Sequence, residues 1–131
     1  MSFEWKHYYL LAKELGGDRR ANPCPESKQR SSISRAYYSV FCISRDFLNQ
    51  KYGFVICTTR NSHQQVIDEL LNYGPEEKEI SQKLKRLKMF RIKADYESNL
   101  DSKYLFGKHL QSIILAGEIL DIYINTKKFI K

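Results

Sequence analysis

What this chain has little of narrows it first. Its three cysteines, Cys24, Cys42 and Cys57, are widely spaced and form no CxxC pair. An odd count without that spacing argues against a disulfide framework and against a structural zinc site. Three reduced thiols in a cytoplasmic protein are the expectation. With 6 Gly and 3 Pro in 131 residues, the chain is too poor in turn formers for a collagen-like, linker-like or turn-rich all-β architecture. No apolar run approaches the ~18 residues of a membrane span, the best being Ile113 to Ala116. The first residues carry Glu4 and Lys6 and open no apolar stretch, so neither a signal peptide nor membrane association is expected. The phosphate-loop, dinucleotide, zinc-protease and serine-hydrolase strings are all missing. His7, His63 and His109 lack ligand spacing, so no metal and no other cofactor is expected.

Charge is what the chain has in excess. It carries 22 Lys and Arg against 15 Asp and Glu, a formal net charge of +7. With 42% apolar and 28% charged residues, the composition is that of one folded domain spanning residues 1–131. The positive excess points to phosphate, nucleic acid or an acidic protein face as partner.

Hydrophobic periodicity is helical almost throughout. A first helix is predicted over Phe3–Leu15, with Trp5, Tyr8, Tyr9, Ala12 and Leu15 on one face and Gly16-Gly17 as its stop. A polar loop holding Pro23, Cys24 and Pro25 follows. A long helix then spans Glu26–Tyr52, whose wide apolar stripe calls for several neighbours and whose stop is Gly53. Residues Phe54–Cys57 read as an extended linker. A short helix over His63–Tyr73 is expected to start on a capping box, Ser62 at the N-cap and Gln65 three residues on. His63 then stands in a first turn, where backbone amides favour anions. Pro75 opens a fourth helix running to Glu97. A fifth runs from Ser102 to Lys127, with Leu110, Ile113, Ile114, Gly117, Leu120 and Ile124 at helical spacing and Lys127 and Lys128 at its end. The expected fold is all-α: an up-and-down four-helix bundle with one additional short helix.

The fourth helix holds the departures from a plain bundle. Ile80, Leu84, Leu87, Arg91 and Ala94 recur at spacings of four and three, so Arg91 falls on the core-facing stripe. A guanidinium is rarely buried without a partner, and Asp95 at i+4 can supply one. An ion pair that only fixes register explains this as readily as a functional pocket does. Lys83, Lys85, Arg86, Lys88, Arg91 and Lys93 form a basic run uninterrupted by any carboxylate. A solvated face is the ordinary reading of such a run; a phosphate or nucleic-acid contact is the alternative. On the second helix, Tyr37 and Tyr38 point about 100° apart, so one enters the core while the other can face a cleft beside Arg35.

Arg30-Ser-Ser-Ile-Ser-Arg-Ala-Tyr-Tyr38 on a long helix, His63 opening a short one, and Arg91-Ile-Lys-Ala-Asp-Tyr96 together resemble the HEPN family, in its subgroup of small stand-alone prokaryotic proteins. The motif order, the separations and the length all match, so the resemblance covers essentially the whole chain. It implies a helical bundle, usually a homodimer, that binds RNA or nucleotide. In some members it implies a metal-independent RNase, and in others the partner of a nucleotidyltransferase antitoxin. The RNase members place a histidine four to six residues after an arginine; here Asp95, Tyr96, Glu97 and Ser98 follow Arg91 instead. The expectation is therefore an RNA- or nucleotide-binding component of a toxin–antitoxin or defence system, with Arg35, Tyr38, Lys85, Lys88, Arg91 and Asp95 as binding residues. The alternative is an RNase toxin with a divergent site, in which Arg91, Tyr96 and His63 are the catalytic candidates. In a third setting the protein is silenced by nucleotidylation, with Tyr96 as acceptor.

Overall fold

The computed structural model describes residues 4–17, 25–57 and 61–126. Of these, 84% are helical, in five helices with no strand. They are α1 (Lys6–Gly17), α2 (Pro25–Tyr52), α3 (Ser62–Leu70), α4 (Pro75–Tyr96) and α5 (Ser102–Asn125). Cys24, Lys127 and Lys128 lie outside the described residues.

Helix α2 packs against all four others. The directions of its neighbours follow from the contacts. Ser32 donates to the Ala12 carbonyl at 2.6 Å, and the Trp5 indole just before α1 donates to Asp46 at 3.1 Å, so α1 runs antiparallel to α2. Arg30 reaches the end of α4, whereas Arg91 lies over Tyr37, so α4 is antiparallel too. Tyr123 donates to Ser44 at 2.7 Å, and Leu105 packs beside Ile33, so α5 runs parallel to α2. The result is the expected up-and-down bundle of α1, α2, α4 and α5, with α3 laid across α2 and α4.

A helix touched on so many sides has little room for polar surface. Ala36, Tyr37, Val40, Phe41, Ile43, Phe47 and Leu48 are all buried, and its serines 32, 39 and 44 are buried with hydrogen-bond partners. Its end is set by Gly53, whose φ of 72° is left-handed, and the Phe54 amide donates to the Leu48 carbonyl at 3.2 Å. The linker after it is tied back by Gln65, whose side-chain amide both accepts from the Cys57 amide and donates to its carbonyl, each at 2.8 Å.

Three expectations are corrected. The cap of α3 is Asn61 rather than Ser62: Asn61 Oδ1 accepts from the His63 and Gln64 amides at 3.0 and 3.1 Å. Gln65, held by Cys57, is not available for a capping box, and α3 ends at Leu70, short of Tyr73. On α5 the buried residues are Leu105, His109, Ser112, Leu115, Ala116, Ile119 and Tyr123; of the stripe read from sequence, Ile113 and Leu120 pack partly buried against the core, whereas Leu110, Ile114 and Ile124 are exposed. The buried face thus joins large apolar residues to Ser112 and Ala116, whose small side chains suit close packing. Gly117 serves the same closeness toward α1, since a Cβ there would lie 2.9 Å from the Tyr9 hydroxyl. On α4, by contrast, the inward stripe is the expected one: Ile80, Leu84, Leu87, Arg91 and Ala94 are all buried.

The join between α2 and the end of α4 depends on Arg30. Its NH1 donates to the carbonyls of Ala94 and Glu97 at 2.8 and 2.7 Å, NH2 donates to Ser98 at 3.3 Å, and Nε donates to Glu26 at 3.0 Å. The last carbonyls of a helix have no partners within it and carry the negative end of its dipole, so a guanidinium there is favoured twice over. Arg30→Ala should lower unfolding stability by about 2 kcal/mol. Glu26→Ala, which breaks only an exposed ion pair, should cost under about 1 kcal/mol. Urea denaturation of both variants checks the contrast; equal losses would show that the carbonyl contacts contribute nothing.

Candidate functional site

The antiparallel packing of α2 and α4 brings Tyr37 and Tyr38 against Arg91, and the start of α3 adds His63 over Phe41. Tyr37 and Phe41 are one turn apart on α2 and stack at 5.6 Å with an 18° interplanar angle. The His63 imidazole lies over Phe41 at 4.4 Å and nearly parallel to it. Tyr38 stands edge-on to His63, its ring centroid 5.8 Å away. The Arg91 guanidinium completes the cluster, 5.2 Å from the Tyr37 ring centroid and 5.5 Å from that of Tyr38. A cation over aromatic faces recovers part of its lost hydration from the ring quadrupoles, which is how α4 tolerates an arginine that is 7% exposed.

That compensation is incomplete. Among the described residues Asp95 is the one carboxylate paired with Arg91, and the contact between NH1 and Oδ2 is long, 3.5 Å. Arg91 Nε is buried with no hydrogen-bond partner. A guanidinium offers five donors and no acceptor, so the buried cation keeps unused donor capacity beside a carboxylate that is itself open to water.

His63 and Tyr37 are joined directly. The Tyr37 hydroxyl lies 2.6 Å from His63 Nδ1. Burial pushes the Tyr37 pKa upward, partly opposed by the nearby Arg91, so the phenol keeps its proton. Burial, together with the positive charges of Arg91 and Lys88, lowers the His63 pKa from 6.5 to about 4, so the ring is neutral at pH 7. Lys88 donates to Gln64 Oε1 at 3.1 Å, and its pKa is lowered by burial and by Arg91. His63 stands in the first turn of α3 as expected, but Asn61 takes the amides there, so the side chain and not the helix end is what the site can use.

Beyond Arg91 an open groove of about 350 Å³ continues between α2 and α4, lined by Ser27, Arg30, Ser31, Ser34, Arg35, Ala94 and Asp95. Arg35 rests over the Tyr8 ring at 4.9 Å. Of the residues singled out from sequence, Arg91, Asp95, Tyr38, His63 and Lys88 therefore meet in one region, and Arg35 borders its groove. Tyr96, 74% exposed, and Lys85, also exposed, lie on a different face of α4 and are not brought to His63. The basic run is not one patch either, because Lys83 pairs with Glu79 and with Glu118 at 3.4 and 3.1 Å. Arg86 and Lys93 turn toward Phe90 and Tyr104 on the side facing α5. Sequence reasoning missed Phe41 and the Tyr37 hydroxyl as site groups. Phe41, one turn after Tyr37 on the same stripe, was the available signal.

No group of three or more His, Cys, Asp or Glu side chains that could hold a metal ion occurs among the described residues, and none of their helices is long and apolar enough to cross a membrane.

The low His63 pKa has a consequence for folding. The unfolded chain protonates His63 near pH 6.5, while the folded one resists until about pH 4. Between those values the unfolded state binds the extra proton, so this histidine makes stability fall as pH falls from about 6.5 to about 4. His63→Gln should flatten that part of the stability profile measured by urea denaturation. A wild-type profile that parallels the variant across this window would contradict the buried neutral ring. No protein-family model, curated protein or solved structure matches the chain.

Proposed function

We propose that this protein is a HEPN-like binding module that engages RNA or nucleotide through a phosphate group at Arg91. One observation carries this reading: a buried guanidinium with an unpartnered Nε, held by aromatic faces and only loosely by Asp95. Lys88 and His63 sit beside it, and the groove lined by Ser31, Ser34, Arg35 and Asp95 offers hydroxyls and one carboxylate for the sugar that such a ligand carries. Phosphate oxygens are acceptors without donors when fully ionised, which complements the donors gathered here. Asp95 is exposed, so an incoming phosphate can take its place on Arg91 while the carboxylate turns to water.

The setting we propose is a cytoplasmic toxin–antitoxin or defence system, with a nucleotidyltransferase antitoxin as the protein partner; the resemblance supports this. A homodimer belongs to the same reading. Met89, Ile92 and Tyr96, spaced three and four apart, make one exposed stripe on α4. Light scattering at tens of micromolar should report a mass near twice 15.5 kDa, and Ile92→Glu should return the monomer. A wild-type mass of 15.5 kDa would remove the dimer.

A second reading, metal-independent RNA cleavage, draws on one further observation: His63, from another helix, reaches the cluster that holds Arg91. Incubating RNA with the protein in EDTA, beside Arg91→Ala, separates the two. Under the binding reading, wild type and variant show the same background cleavage, while fluorescence anisotropy with a short single-stranded RNA shows affinity lost at least tenfold in Arg91→Ala. Cleavage present only in wild type would replace binding with catalysis. Unaltered RNA affinity in the variant would remove both.

A further inference from the structure

The hydrogen bond between Tyr37 and His63 contains more than a contact, because its direction is determined by its neighbours. Tyr37 is fully buried and has one proton to give. Arg91 lies over the ring of Tyr37, 5.2 Å from its centroid, and is no acceptor in any case. The hydroxyl has one hydrogen-bond partner among the described residues, His63 Nδ1 at 2.6 Å. If it only accepted there, its own proton would be buried without an acceptor, so the phenolic proton points to Nδ1. An imidazole whose Nδ1 accepts has its own proton on Nε2.

We infer that Tyr37 is a positioning residue that holds His63 in a single tautomer, its Nδ1 lone pair occupied by the phenol and its proton on Nε2. The corner formed by Arg91, Lys88 and His63 then presents hydrogen-bond donors alone. This deepens the proposed binding function by naming what the site selects: an ionised oxyanion that needs no deprotonation. A hydroxyl that must lose its proton finds no base on this ring, whose one free lone pair is already taken.

The charges around the ring favour the same state from every side. Tyr37 and Tyr38 face it from α2; Lys88 and Arg91 face it from α4. Asp95 lies beyond Arg91, and Asp68, on α3 itself, acts on Lys88 and bonds to Gln64. Phe41 stacks on one face of the ring at 4.4 Å and leaves its in-plane Nε2 edge for a ligand.

Long-range proton–nitrogen correlation spectra of the full chain, nitrogen-labelled at histidine, read the tautomer directly. In wild type at pH 7, His63 should show a protonated Nε2 and an unprotonated Nδ1 in one sharp pattern, holding until the ring titrates well below pH 6. Tyr37→Phe, checked for unchanged helicity, should mix the two tautomers, move the midpoint toward 6.5 and weaken binding of inorganic phosphate about fivefold. The proton found on Nδ1, or a wild-type ring already averaging both tautomers, overturns the inference, and neither result needs the variant to fold. A ring locked with its proton on Nε2 but indifferent to millimolar inorganic phosphate supports the Tyr37 assignment and overturns the anion-binding function instead.

Discussion

The antiparallel crossing of α2 and α4 sets everything else in this bundle, and it is held by charge at two places rather than by apolar packing alone. At one end, Arg30 on α2 takes the last carbonyls of α4. Two turns along, Arg91 on α4 lies over the tyrosines of α2. The two arginines are placed alike and satisfied differently. Arg30 has an acceptor for each of its three nitrogens, so it is a structural clamp. Arg91 has rings, one distant carboxylate and an Nε with nothing. A buried charge left short of partners is expensive, and a fold that already owns a fully satisfied arginine in the same seam does not need the second for register.

That contrast bears on how much was legible beforehand. The inward direction of Arg91 could be read from the chain, because it depends only on the spacing of Ile80, Leu84, Leu87 and Ala94 along one helix. Asp95 followed for the same reason. The clamping role of Arg30 could not be read, since the α4-end acceptors it takes lie 64 to 68 residues away and are backbone carbonyls that no residue type marks. His63 was identified as a candidate, but its bond to Tyr37 crosses two helices whose approach is fixed only by packing. The α5 face was legible in part: Ile113 and Leu120 do pack on the core, but Leu110 and Ile114 face outward while Ser112 and Ala116, which apolar count passes over, are buried. The cap of α3 failed on a one-residue ambiguity, Asn61 against Ser62, that local pattern alone does not resolve.

Burial has also separated two groups that would otherwise titrate toward each other. Tyr37 is pushed up and His63 down, both chiefly by desolvation. Each is thereby held in its neutral form, and a neutral pair can share a hydrogen bond without charging an interior already occupied by Arg91. The stacked rings of Tyr37, Phe41 and His63 make this a rigid unit. Rigidity matters for recognition, because donors fixed before the ligand arrives lose little entropy on binding.

The same arrangement decides how the departure from the arginine-to-histidine spacing should be weighed. A histidine four to six residues after Arg91 would sit at the end of α4 or just past it. His63 comes from another helix and arrives already bonded through Nδ1 to a buried phenol. Proximity to the arginine is thus restored without the property that proton transfer requires, an accessible lone pair at a suitable pKa. A base with a pKa of about 4 would in any case draw weakly on a sugar hydroxyl at neutral pH. Under the proposed reading, geometry and electrostatics favour holding a phosphate over cutting beside it.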